Sequence, residues 1–241
     1  MRPAPEPATG LAPRSHGRLV RWALAVLLLP PVLLLGSMEA VYRYGLARVG
    51  KLPRPPPPRT GLVYQVLWLA EEGGPPRLEP LWPWWFAGYV PGVRWARRPA
   101  GEFLASWTAR EWLASRPLRE GERPLHRTFQ ALALTVWISR HWSAEELLTA
   151  YAQRAPFGRG LIGLEAAARS YFGVEPERLA LHEAALLAGL PQSPSRYSPL
   201  VHPEAALRRR DFVLSRLQSA GLISEAQRED ARKQPLPVRA Q

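Results

Sequence analysis

The stretch Ala155–Gly173, APFGRGLIGLEAAARSYFG, decides the fold. Gly158, Gly160 and Gly163 punctuate a tight turn, and Gly160 to Phe172 contains an alanine-rich helix with Gly173 placed to stop it. Helical patterns lie on both sides. Upstream, Ser143 opens S-A-E-E, a capping box with Glu146 three residues on, ahead of Leu147 and Leu148. Downstream, His182 to Leu190 reads as a helix ending at Pro191. Pro203 opens another, whose Ala206, Val213, Leu217 and Ala220 share one face before Gly221. Ser224 then caps a last short helix with Gln227 at the reciprocal position. The fold class read from these signals is mainly α.

Toward the N-terminus, Trp22 to Met38 (WALAVLLLPPVLLLGSM) is free of charge and follows Arg14, Arg18 and Arg21. Taken as Leu19–Val41, at about 1.5 Å per residue, it crosses a ~30 Å hydrocarbon core with Arg21 and Glu39 near the two interfaces. The reading is one transmembrane helix, residues 19–41. Pro30 and Pro31 remove two backbone donors and predict a kink, which bilayer helices tolerate. Gly36 to Ala40 offers no clean small-x-small pair, which favours an uncleaved anchor over a signal peptide. Arginines stand on both sides of the span, so charge alone leaves its orientation open.

Residues 1–18, rich in Pro, Ala and Arg, are expected to form a disordered, basic cytoplasmic tail. Residues 42–59 end in KLPRPPPPR and are expected to be a stiff polyproline spacer, because each proline fixes φ and lacks a donor. Residues 60–236 then form the domain. Arg59 to Leu69 is open between strand and short helix. Six tryptophans fall between Leu81 and Trp112, interleaved with Arg94, Arg97 and Arg98. They suit either a bilayer interface or an aromatic core.

Composition limits the chemistry. The 241 residues contain no cysteine, so thiolate nucleophiles, disulfides and Cys-based zinc sites are excluded. The five histidines show no H-E-x-x-H or paired ligand spacing, and no dedicated metal site is expected. Thirty-two Lys+Arg against 20 Asp+Glu give a formal +12. Nucleic acid is disfavoured as the partner, because an anchored domain sits beside anionic lipids that attract arginine equally well.

Ala155–Gly173, with LALHEAALLAGLPQSPSRYSP (179–199) and RRRDFVLSRLQSAGLIS (208–224), resembles the C-terminal part of the family 51 peptidoglycan glycosyltransferases, from near Leu125 to Gln227. The resemblance implies a lysozyme-like, mostly helical domain behind one N-terminal anchor, at the outer face of a bacterial cytoplasmic membrane. Its implied partners are lipid II or glycan strands, the membrane and other cell-wall synthesis proteins. It implies no organic cofactor. Arg and Lys side chains, or a divalent cation, would neutralise the lipid pyrophosphate. A carboxylate must take the proton from the acceptor 4-hydroxyl as it attacks the anomeric carbon.

This sequence departs from the family at those functional positions. The family's base lies in an early E-D-x-x-F-x-x-H-x-G motif, which is missing. Glu71, Glu72 and Glu102 remain as alternatives for it. The family's R-K-x-x-E reads His126, Arg127, Thr128, Phe129, Gln130, keeping the cation and replacing the glutamate with an amide that cannot accept a proton at neutral pH. The G-x-S-T-I-T-Q-Q segment keeps one hydroxyl, Thr108. Arg127 and Arg159 are expected on phosphates, with Thr108 and Gln130 beside the substrate. Two functions stay open: a polymerising glycosyltransferase with a displaced base, and a catalytically inactive scaffold or regulator of wall synthesis on the same domain.

Overall fold

The structure is a computed structural model and describes residues 16–85, 97–117 and 121–236. Nine α-helices and no strand occur among them: α1 (His16–Val49), α2 (Leu62–Glu72), α3 (Glu102–Ala114), α4 (Pro124–His141), α5 (Ala144–Arg154), α6 (Leu164–Phe172), α7 (Leu181–Gly189), α8 (Pro203–Ser219) and α9 (Glu225–Lys233). The expectation of a mainly helical domain behind one long apolar helix holds.

The caps read from the sequence are made. Ser143 Oγ accepts the Glu146 N–H at 3.1 Å while the Glu146 carboxylate accepts the Ser143 N–H at 2.8 Å. Ser224 and Gln227 repeat the exchange at 3.2 and 2.8 Å. Between α5 and α6 the Phe157–Leu161 turn closes on itself, Phe157 N–H donating to Leu161 O and Gly163 N–H to Ala155 O, each at 2.9 Å. Gly163 has a φ of 91°, and a Cβ there would stand 2.9 Å from the Gln153 carbonyl oxygen. Only glycine lets α6 start against the end of α5.

The open segment 59–69 is helix from Leu62 onward. Helix α2 runs through the middle of the domain, with Val66, Leu67, Trp68 and Leu69 at 1% exposure or less, and it packs on α3, α5, α7 and α8. Its neighbours contribute Leu104, Leu147, Tyr151, Phe157, Tyr171, Leu187, Val213 and Leu217 to one core.

Helix α1 differs from the expected division into span and spacer. It includes Pro30 and Pro31 and continues past Val41 to Val49, so the first part of the 42–59 spacer is helical. The cause is α4. Tyr42, Leu46 and Val49 recur at helical spacing, and Tyr42 joins Leu81, Ala133 and Val136 in a second small core. Gly45 lets the two helices touch, since a Cβ there would lie 2.4 Å from the Phe129 carbonyl oxygen. Residues 51–60 hold neither helix nor strand and are pinned at both ends: Arg116 donates to Lys51 O at 3.3 Å, and the Arg59 N–H donates to Thr149 Oγ1 at 2.9 Å. Upstream on α1, Val26 and Leu27 are about 70% exposed, in keeping with a helix whose apolar flank has no protein partner. Most of the expected 1–18 tail lies outside the described residues.

The tryptophan-rich stretch divides. Trp107 and Trp112 pack against the main core, whereas Trp82 and Trp84 face outward, and Trp95 lies outside the described residues.

Candidate functional site

Consecutive residues on a helix point about 100° apart, and at the end of α2 this sends Glu71 and Glu72 to different neighbours. The Glu71 carboxylate accepts the Tyr151 hydroxyl of α5 at 2.8 Å. Burial pushes the Glu71 carboxyl above its ordinary range, and the Tyr151 hydrogen bond and the Arg209 charge oppose the rise. Glu72 faces α3. Its two oxygens accept the N–H groups of Gly101 at 3.1 Å and Leu104 at 2.9 Å, filling a helix N-terminus whose own cap residue has no side chain. Burial raises this carboxyl too, with those two amides opposing and the neighbouring Glu102 charge adding. Glu102 is 5% exposed and lies 3.2 Å from Arg98 Nε. A cleft of about 330 Å³ opens here, lined by Trp68, Glu72, Arg77, Glu79, Arg97 and Arg98. Arg97 bonds both oxygens of Glu79 at 2.9 Å and holds that carboxyl below its ordinary value.

Gln130 and Arg127 belong to a different recess, of about 190 Å³, which they line with Arg48, Arg116 and Glu122. Gln130 Nε2 donates to Glu122 Oε1 at 2.7 Å. The Arg127 guanidinium donates to Leu113 O at 2.5 Å and Arg116 O at 2.9 Å, satisfying carbonyls where α3 ends. Thr108 is 4% exposed and its hydroxyl meets no acceptor or donor among the described residues. Arg159 is exposed, has a φ of 56° in the turn before α6, and lies with its guanidinium carbon 5.6 Å from the Tyr171 ring centre. It lines neither recess. The structure therefore brings Glu71, Glu72 and Glu102 into one neighbourhood and Arg127 with Gln130 into another.

Glu122 was not read from the sequence. It precedes Pro124 in a connecting segment, eight positions from Gln130, where no periodicity links the two. The closest signal was the bare observation that an amide had replaced a carboxylate at position 130. A larger cleft, of about 470 Å³, lies where α6 begins, and the Arg59–Glu165 ion pair spans residues of its lining. It holds none of the sequence-derived candidates.

Comparison with known proteins assigns the scaffold. A family model described as transglycosylase matches residues 109–218. Penicillin-binding protein 1A of Aquifex aeolicus is 39% identical over 132 residues, which are 55% of this chain and 18% of that protein. Penicillin-binding protein 1C of Escherichia coli is 40% identical over 117 residues, 47% of this chain and 15% of its own length. These matches support a family 51 transglycosylase domain over residues 109–218. A crystal structure of penicillin-binding protein 1A from Haemophilus influenzae aligns with 56% of this chain and 17% of that one, at 27% identity and a TM-score of 0.37. This chain thus spans less than one fifth of the length of these relatives.

Within the transglycosylase match, Arg127, Gln130 and Arg159 fall inside residues 109–218, and the three carboxylates fall before it. Among the described residues no three His, Asp or Glu side chains converge as a metal-binding group.

The raised Glu71 carboxyl has a measurable consequence. The stability it contributes is fully present below its ordinary value of 4.5 and is lost as the pH rises through the higher folded-state value. Glu71→Gln keeps an acceptor for Tyr151 and removes the buried charge. Thermal melts of the variant and parent should coincide near pH 4, and the variant should melt higher at pH 8. Parallel melting curves at both pH values would show that Glu71 is not desolvated.

Proposed function

We propose that the protein is a membrane-anchored member of the transglycosylase family that serves bacterial cell-wall synthesis, holding lipid II or a nascent glycan strand at the membrane without polymerising it. The observation that carries this is the occupation of every candidate acid or base. Glu71 holds Tyr151, both oxygens of Glu72 hold α3, Glu102 faces Arg98, and the position of the family's second carboxylate is an amide bound to Glu122. A general base must reach the proton it removes, and carboxylates held in this way are turned toward their own chain.

Binding has better support than transfer. The cleft beside Glu72 carries Arg77, Arg97 and Arg98, and guanidinium groups match phosphate oxygens in charge and geometry. Helix α1 is long and apolar enough to cross a bilayer, which would keep the domain beside a lipid-linked substrate.

The test uses the full chain in phospholipid vesicles with fluorescent lipid II. The expected result is retention of lipid II above that of matched vesicles lacking it, with no glycan ladder on a gel. A ladder that disappears in Glu71→Gln, Glu72→Gln, Glu102→Gln or Glu122→Gln would overturn the inactive reading and identify the base. Failure to retain either lipid II or purified glycan strands would overturn the binding reading.

A further inference from the structure

We propose that the cleft where α6 begins is a saccharide site, which holds an uncharged stretch of sugar chain apart from the arginine-lined cleft beside Glu72. It rests on the glycan-holding reading only for the identity of the sugar.

At about 470 Å³ the cleft falls in the range of sites that enclose small ligands. Its polar groups are fixed before any ligand arrives. The Arg59 N–H donates to Thr149 Oγ1 at 2.9 Å, and the Arg59 guanidinium is shared between the Glu165 carboxylate and the Tyr64 hydroxyl. Arg169, one turn further along α6, is held by both oxygens of Glu175 at 2.8 and 2.9 Å. Gln153 lines the same cleft, because the glycine at position 163 lets α6 start against the Gln153 carbonyl.

This pairing selects the class of ligand. Both guanidinium groups already face a carboxylate, so the lining residues offer no uncompensated charge to draw in a phosphate or a free carboxylate. Hydrogen-bonding directions remain. A guanidinium has five N–H donors, a carboxylate about four lone pairs, and a primary amide both kinds. Sugar hydroxyls donate and accept at once, and they suit donors and acceptors set side by side. The apolar lining fits as well. Ile162 is 57% exposed, and with Ala152 and Ala166 it gives the C–H face of a sugar ring a dry contact. Buried Tyr64 lines this cleft and Glu72 the other, eight residues or about 12 Å further along α2. The two clefts share no lining residue, so sugar held at one leaves the other open to a pyrophosphate.

The test is calorimetric titration of the full chain in detergent micelles with chitotetraose, an uncharged chain of N-acetylglucosamine. Variants are compared after their melting curves are matched to the parent. Saturable binding is expected, weakened about ten-fold or more by Glu165→Ala, which removes a charged hydrogen-bond partner, and several-fold by Gln153→Ala. Arg208→Met, exposed on α8, should bind as the parent does. No binding by the parent would overturn the site and leave lipid II retention to its own assay. Weakening by Arg97→Met, with no effect of Glu165→Ala or Gln153→Ala, would move the sugar to the cleft beside Glu72 and overturn this site. Displacement of chitotetraose by inorganic phosphate would replace the saccharide site with an anion site. Chitotetraose binding that depends on Glu165 and Gln153, in a protein that fails to retain lipid II, would support the saccharide site and overturn the lipid II reading alone.

Discussion

Trp68→Ala should remove about 3–5 kcal/mol of folding stability, the range for deleting a large buried aromatic ring. Trp68 is the largest side chain at zero exposure, in the middle of α2, with α3, α5, α7 and α8 around that helix. At roughly 2–4 °C per kcal/mol for a chain of this size, the melting temperature should fall by about 6–20 °C. Trp68→Phe separates packing from polarity. The indole N–H of Trp68 meets no acceptor among the described residues, so removing it relieves a buried unsatisfied donor and offsets part of the smaller cavity. The phenylalanine variant should lose well under half of what the alanine variant loses. Equal losses in the two would mean that the indole N–H holds a contact that stabilises the fold. Because α2 also carries Glu71 and Glu72, the alanine variant should lose lipid II retention together with stability.

Arg210→Met should cost about 3 kcal/mol, at the low end of the range for breaking a buried ion pair. Arg210 is 1% exposed, with its guanidinium divided between Asp211 and the carbonyls of Arg232 and Gln234, which ties α8 to the end of α9. The estimate stays low because Asp211 is about one third exposed and keeps Arg232 at 3.4 Å. Arg208→Met is the control. That residue is exposed and, among the described residues, pairs with an exposed Glu204, so its loss should be within about 0.5 kcal/mol of zero. Urea denaturation of the two variants decides the matter, and equal midpoints would show that the buried guanidinium contributes no net stability.

What the sequence disclosed depended on how far apart the interacting groups lie along the chain. The Ser143 and Ser224 caps join residues three positions apart, and both were legible because a helix start is a local event. The turn from Gly158 to Gly163 was legible for the same reason. Arg210 was legible in principle, since it falls four positions after Ala206 and three before Val213 on the apolar face of α8. Its place in a run of three arginines gives no sign of which one is buried. The contact between Tyr151 and Glu71 spans 80 positions, and no spacing rule reaches that far. The same holds for the separation of Gln130 from the three carboxylates. The recess of Arg127 and Gln130 is closed on one side by Arg48 and Val49 of α1, a packing that hydrophobic periodicity could not distinguish from a passive tether.

The close seam at Gly45 sets a limit on how the chain can be shortened for work in aqueous buffer. A fragment begun near Ser37 discards the greasy run and retains Tyr42, Leu46 and Val49 over α4. One begun at Gly50 strips that cover, baring Ala133, Val136 and Leu81 as an adhesive strip on which copies would self-associate. The last two turns of α1 are in this sense part of the globule, and the boundary between its exposed apolar run and the domain falls inside a single helix.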